Sequence, residues 1–390
     1  MIKEKIKQAG EILKETDIDL WLTFVRETES NGDPVLDLIL GENCTWHSAF
    51  LIPAEGEPTA IVGSLDEARI RGIGGYNVTG YKEGIGKTLL GELDRLSPEK
   101  IAINFSENDI MADGLSHGMF LTLSKYLKGT KYENLLVSSE EIISKLRGRK
   151  TPEEINRIQE NIDLTLDIFS RVTGIIKPGM TEREVAEFIL GEVEKEGVET
   201  SWESSQCPAV FTGPESAGAH AQPTDREIKP GHVLNIDFGT RMKGYCSDLQ
   251  RTWYFLRKDE KEAPEEVIRA FNTIRDSIAL GAQKIRPGME GREIDSIVRE
   301  YITERGYEEF PHALGHQVGR KTHDGAGLLC PEWERYGNLP YLKIEENQIY
   351  TLEPRIIMPD YGVATIEEII VVEKDGGKFL SDPQKEIILI

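Results

Sequence analysis

The chain has 390 residues, a formal net charge of −22, and 39% apolar and 29% charged residues. That length allows two domains, and the apolar share is sufficient for packed cores. The acidic balance argues against a nucleic-acid partner, which needs a basic footprint, and against an anionic membrane surface; a field of this sign serves solubility.

The opening segment, MIKEKIKQAGEILKE, is an amphipathic helix pattern without the apolar stretch of a signal peptide. No run of about 18 apolar residues follows, so no spanning helix is expected. Cys44, Cys207, Cys246 and Cys330 are scattered without CxxC spacing. They read as reduced thiols, and the expected location is the cytoplasm. Cys246, two residues before Asp248, reads as an inert small apolar residue.

The spacing predicts helices over 2–15, 65–71, 85–96 and 113–128, and strands over 18–24, 48–53, 58–63 and 100–104. This is an α/β domain with a mixed sheet, assigned to residues 1–138. A polar junction follows, and a second domain is assigned to 139–390. Thr151-Pro152-Glu153-Glu154 is a helix start with a capping box and proline at the first helical position.

The second domain carries an internal repeat. IKPGMTEREVAEFILGEVEKEG, starting at Ile176, aligns in constant register with IRPGMEGREIDSIVREYITERG, starting at Ile285. The Pro-Gly-Met turn, the Arg-Glu pair and the terminal glycine all coincide. Two pseudo-equivalent halves are expected, with a site drawing on both.

Each half is followed by a strand pair. A turn at Met242–Lys243 would set Asp237 directly opposite Asp248. A turn around Asp360 would set Glu353 opposite Glu367, and Arg355 opposite Thr365. Facing side chains lie roughly 4.5–5.5 Å apart, where like charges destabilise. These acids also sit among apolar neighbours such as Ile236, Phe238, Leu352 and Ile366. Burying an unpaired carboxylate costs several kcal/mol, so cations are expected between the pairs. Carboxylates with one imidazole suit Mn²⁺ or a related divalent ion.

His312, His316 and His323 cluster in PHALGHQVGRKTHD, and His220 lies in the Gly/Pro-rich stretch TGPESAGAHAQPTD. Loops carried on a scaffold often hold function, and neutral imidazole can ligate a metal or move protons. His47, His117 and His232 stand alone and read as structural.

Taken together, NIDFG with an aspartate eleven residues on, GHxxG with a second histidine seven residues on, TLEP and IEE resemble the pita-bread metallopeptidases. That family includes methionine aminopeptidase, Xaa-Pro aminopeptidase and prolidase, with creatinase as a metal-free relative. The resemblance covers about residues 140–390, and the first domain resembles the creatinase/prolidase N-terminal type. It implies an α/β N-terminal domain followed by an α+β pita-bread catalytic domain with a pseudo-two-fold repeat. It implies two metal ions held by Asp237, Asp248, His316, Glu353 and Glu367, with Asp248 and Glu367 bridging. Mn²⁺ is the expected ion, with Co²⁺ or Zn²⁺ as alternatives. It further implies hydrolysis of an N-terminal Xaa-Pro bond by a hydroxide held between the metals. Glu353 would manage its proton, His220 and His323 would hold the carbonyl or developing oxyanion, and His312 would bind substrate. A homodimer is the family precedent.

The chain departs from the Xaa-Pro pattern at three positions. Thr365 replaces an arginine two residues before the last glutamate, Ile357 replaces a tyrosine, and Arg320 replaces an apolar residue. Because Arg355 should face Thr365, the missing cation is expected to have crossed the hairpin to Arg355, the alternative being an Arg355 that points to solvent. Arg335, in PEWERYGNLP, is a candidate partner for a dipeptide's carboxylate or else a solvated loop charge. Dipeptidase and aminopeptidase therefore stay open. The competing classes are a creatinase-like metal-free hydrolase and a non-catalytic binding protein on the same fold.

Overall fold

The computed structural model describes residues 1–30, 32–215 and 222–390. The chain divides into two compact units, Met1–Arg147 and Gly148–Ile390.

In the first unit a mixed six-stranded sheet runs in the order Asn77–Tyr81, Thr59–Gly63, Ser48–Pro53, Leu20–Val25, Ile101–Ile103, Leu136–Ser138. Side chains alternate across a strand, and Leu20–Val25 uses both faces. Leu20, Leu22 and Phe24 pack with Leu89, Leu93, Leu123 and Leu127 of helices Gly86–Leu96 and His117–Leu127. Trp21 and Val25 pack with Ile6, Ile12, Ile142 and Leu146 of helices Ile2–Leu13 and Glu140–Gly148. Covering on both faces explains why the inner strands read as continuous apolar runs. The two strands absent from the sequence pattern, Asn77–Tyr81 and Leu136–Ser138, are the sheet's edges. Edge strands are short and half-exposed, so they lack that signature. Helix Glu140–Gly148 closes this core through Ile142, Ile143 and Leu146. The first compact unit accordingly runs to Arg147.

In the second unit Thr151 opens helix Pro152–Thr173 with a capping box. Its backbone N–H donates to Glu154 Oε2 at 2.8 Å, and its hydroxyl accepts from the Glu154 N–H at 3.4 Å. The repeat extends to the backbone. Helices Glu182–Glu196 and Gly291–Thr303 each follow a longer helix, Pro152–Thr173 or Glu265–Lys284. Each is preceded by a turn glycine with positive φ, 91° at Gly179 and 90° at Gly288. Each starts with a reciprocal capping box, Thr181/Glu184 or Glu290/Glu293.

Antiparallel strands follow each helix pair. The first sheet is ordered Ile388–Leu389, Leu249–Tyr254, Val233–Phe238, Ala209–Thr212, with only Ile388–Leu389 parallel to its neighbour. The second is Ile349–Leu352, Glu368–Glu373, Gly376–Phe379, beside a hairpin of Arg355–Met358 and Gly362–Thr365. Phe271, Ile278, Ile294 and Val298 of the second helix pair bury against Leu352, Ile356 and Ile370. The two strand sets meet where Gln250 bridges Glu367 and where the Asn235 amide donates to the Thr365 carbonyl at 2.7 Å.

The first hairpin differs from the expected register. Its turn is Lys243–Gly244, with φ of 54° and 74°, and Met242 pairs with Tyr245. Two left-handed residues match the twist of a hairpin, and glycine adopts that conformation at low cost. Asp237 therefore opposes Gln250 and not Asp248. The shift is an even number of residues, so Asp248 stays on the Asp237 face as a diagonal neighbour. In the second hairpin Arg355 pairs with Thr365, and Leu352 with Glu368. That is the register that sets Glu353 opposite Glu367.

Candidate metal centre

Five side chains converge in the second unit. Asp237 comes from strand Val233–Phe238, and Asp248 immediately precedes strand Leu249–Tyr254. His316 ends the short strand Gly315–His316, Glu353 follows strand Ile349–Leu352, and Glu367 lies between strands Gly362–Thr365 and Glu368–Glu373. His316 Nε2 is 3.4 Å from Asp248 Oδ2, 3.4 Å from Glu353 Oε1 and 4.0 Å from Glu367 Oε1. One ligand atom from each of Asp248, His316 and Glu367 falls within a single 4.8 Å cluster.

The local backbone explains how the histidine arrives there. A Cβ at Gly315 would lie 1.9 Å from the Thr351 carbonyl oxygen, so only glycine lets these strands approach. The His316 N–H donates to Thr351 Oγ1 at 3.1 Å, and the Thr351 hydroxyl donates to Glu353 Oε1 at 3.3 Å. His316 Nδ1 lies 3.3 Å from the Gln317 carbonyl. Donation there places the ring proton on Nδ1 and leaves the Nε2 lone pair facing the carboxylates.

The residues fit divalent cations. Asp237 Oδ1, Asp248 Oδ1 and Glu367 Oε1 are buried and have no hydrogen-bond partner. An orphaned buried acceptor is strongly disfavoured, and three in one cluster beside His316 Nε2 suit cation binding. Burial, opposed only in part by a hydrogen bond with Asp237, pushes the Asp248 carboxyl up to about 7. Burial first, and then the charges of neighbouring carboxylates, raise Asp237, Glu353 and Glu367 well above the ordinary range. Without cations this cluster resists ionisation; cations reverse that.

Glu367 is oriented by a neutral relay. The Thr365 hydroxyl donates to Gln250 Oε1 at 2.9 Å, and Gln250 Nε2 donates to Glu367 Oε2 at 3.0 Å. That leaves Oε1 for a cation. The relay takes the place expected for a cation. Arg355 faces Thr365 in register, but among the described residues its guanidinium makes no hydrogen bond or ion pair with Glu353, Glu367 or any other group. Gln250 escaped the sequence reading because the misplaced turn hid its position opposite Asp237; Gly244 was the signal that would have corrected it. Supporting residues of this kind typically contribute 10- to 100-fold in metal affinity. Gln250→Ala is expected to weaken Mn²⁺ binding by about that factor in a chelator competition assay.

A cavity of about 560 Å³ opens onto the cluster and is lined by all five residues together with Gln250, Arg355 and Thr365. His312 and His323 also line it, the His323 ring centroid lying 4.2 Å from that of His316. Trp202, Phe211 and Leu328 give it an apolar wall. His220 lies outside the described residues. Arg335 does not line the cavity. It donates to the Pro311 carbonyl at 2.6 Å and to the Tyr336 hydroxyl at 3.2 Å, and it stacks on Trp333. Arg320 stacks on Tyr245 with its guanidinium 5.0 Å from the ring centroid, and Ile357 is exposed. Glu368, the second acid of IEE, is closed by Arg251 and Ser381 and is structural. The four cysteines are free and buried, Cys246 among them.

The sequence profile of metallopeptidase family M24 matches residues 156–374. The peptidase YqhT of Bacillus subtilis is 29% identical over 279 residues, covering 71% of this chain and 73% of that protein. An Xaa-Pro dipeptidase from Bacillus anthracis superposes with a TM-score of 0.73 at 25% identity, over 100% of both chains. An X-Pro aminopeptidase from Thermotoga maritima superposes with a TM-score of 0.69 at 23% identity, over 99% of both chains.

Proposed function

The chain belongs to metallopeptidase family M24, and from that premise we propose that it hydrolyses the N-terminal Xaa-Pro bond of short peptides with two divalent ions, Mn²⁺ foremost. Asp237, Asp248, His316, Glu353 and Glu367 would hold the ions. The observation that carries this reading is the set of three buried, unpartnered carboxylate oxygens gathered at the His316 imidazole. A metal-free hydrolase or a binding protein would leave those oxygens orphaned, which disfavours both alternatives.

When bound, the ions make water nucleophilic at neutral pH and polarise the scissile carbonyl. The remaining tasks fall to the chain. Glu353 is the most accessible of the three acids that approach His316, its side chain 20% exposed against 7% for Asp248 and 1% for Glu367. It is therefore the group that takes the nucleophile's proton and returns it to the leaving imino nitrogen. His323, at the mouth beside His316, donates to the oxygen on which negative charge develops, and His220 is assigned to the same task. His312 and the Trp202–Phe211 wall hold the substrate and exclude water.

Four buried free thiols suit a reducing cytoplasm. A homodimer is the expected assembly. The activity test supplies Mn²⁺ to metal-stripped protein and offers Xaa-Pro dipeptides, longer Xaa-Pro peptides and matched Xaa-Ala peptides. Cleavage confined to the proline series is expected; Mn²⁺-saturated protein inert toward all three would overturn the reading.

A further inference from the structure

We propose that Arg355 is the specificity-determining cation of the cavity. Its guanidinium pairs with the free C-terminal carboxylate of a dipeptide, so the chain is an Xaa-Pro dipeptidase. The inference rests on the Xaa-Pro reading above and adds the substrate's length.

Three observations carry it. First, Arg355 lines the same cavity as Glu353, Glu367 and His316. Second, its charge is unanswered. The Nε atom is buried without a partner, and among the described residues no hydrogen bond or ion pair reaches the guanidinium. The fully buried arginines of this unit are closed. Arg251 lies 3.1 Å from Glu368, and Arg299 grips Asp295 at 2.7 and 2.8 Å. A half-buried cation in a cavity without an anion is unfavourable, so a site that keeps one is suited to an anion. Third, no acid pairs with it among the described residues. The residue opposite is Thr365, whose hydroxyl is engaged by Gln250 and the Pro354 carbonyl. Two divalent ions would balance the four ligand carboxylates and leave the Arg355 charge over.

The reach suits a dipeptide. Glu353 and Arg355 are two residues apart, about 6.5 Å of extended strand. A scissile bond held at the ligand cluster leaves one residue, roughly 3.5 Å, before the C-terminal carboxylate. A guanidinium side chain spans the remainder. A longer peptide would put a neutral amide there and leave Arg355 desolvated and unpaired.

The test compares Xaa-Pro, Xaa-Pro-amide and an Xaa-Pro-Xaa tripeptide on the Mn²⁺-loaded full chain, with Arg355→Lys and Arg355→Ala. A charge-assisted carboxylate contact predicts that the wild type prefers the free dipeptide over its amide by about 10- to 100-fold in kcat/KM. Most of that difference should lie in KM, because the contact is made before and during reaction. In Arg355→Ala the acid-to-amide ratio should collapse toward one, with Arg355→Lys intermediate. A wild type indifferent to the carboxylate, or a ratio unchanged in Arg355→Ala, overturns the inference. If the wild type cleaves none of the three, the peptidase reading fails on its own. Calorimetric binding of the dipeptide acid and its amide to wild type and Arg355→Ala then decides the Arg355 claim separately.

Discussion

Asp248→Asn is expected to abolish Mn²⁺-dependent cleavage while leaving the metal-free protein more stable than the parent. Asp248 has one buried carboxylate oxygen without a partner, and its other oxygen lies 3.4 Å from His316 Nε2. An amide keeps the shape but supplies a weaker ligand and no charge. Loss of electrophilic activation worth several kcal/mol corresponds to a fall on the order of 10³-fold in kcat. The gain in stability has the opposite origin. Burial pushes the Asp248 carboxyl up to about 7, so the folded metal-free protein resists its ionisation. Removing the group should stabilise the metal-free protein at pH 8 by about 1–4 kcal/mol. Activity assays beside thermal melts of stripped protein check both halves. An inactive variant that is also less stable would indicate simple misfolding.

Metal removal should change the sign of the pH dependence of stability. In the stripped protein the Asp248 carboxyl titrates near 7 against an ordinary value of 3.8, and Asp237, Glu353 and Glu367 shift the same way. The fold then holds these protons more tightly than the unfolded chain. Their stabilising contribution is fully present below pH 3.8 and is lost as pH rises through about 7 and beyond. In the loaded protein the same carboxylates are ionised against cations, and that contribution is lost as pH falls. Ion at 100 times its dissociation constant stabilises by about 2.7 kcal/mol, or roughly 5–10 °C in Tm for a unit of this size. The gap between loaded and stripped melts should therefore widen from pH 5 to pH 8. Parallel melting curves across that range would show that the carboxylate cluster does not govern stability.

Much of this site was legible in the sequence because its chemistry is written in residue types that a core otherwise avoids. Acids flanked by Ile236, Phe238, Leu352 and Ile366 stand out against any apolar strand pattern. What was lost was geometry set by single turns and by neutral partners. A left-handed Lys243–Gly244 turn moved Asp248 from opposite Asp237 to its diagonal. The same shift brought Gln250 to Glu367, a contact that no charge pattern announces. Arg335, charged and in a loop, lies outside the cavity lining, with its Nη2 donating to Pro311 and Tyr336 and its face stacked on Trp333. Arg355 is expected from the sequence to serve the ligands, and only the absence of a hydrogen bond or ion pair to it among the described residues separates it from them. In the first unit, strands Leu20–Val25 and Ser48–Pro53 were readable because both faces are covered. Asn77–Tyr81 and Leu136–Ser138 were not, because an edge strand buries too little to leave a pattern.

The central claim is that the converging acids and His316 exist to hold two cations. Calorimetric titration of stripped full-length protein with Mn²⁺, checked by elemental analysis of the loaded protein, tests it most directly. Two ions per chain, falling to one or none in Asp248→Asn, is the predicted result. Saturating Mn²⁺ that leaves the chain without bound ion, or cleavage that persists undiminished after exhaustive chelation, would contradict it.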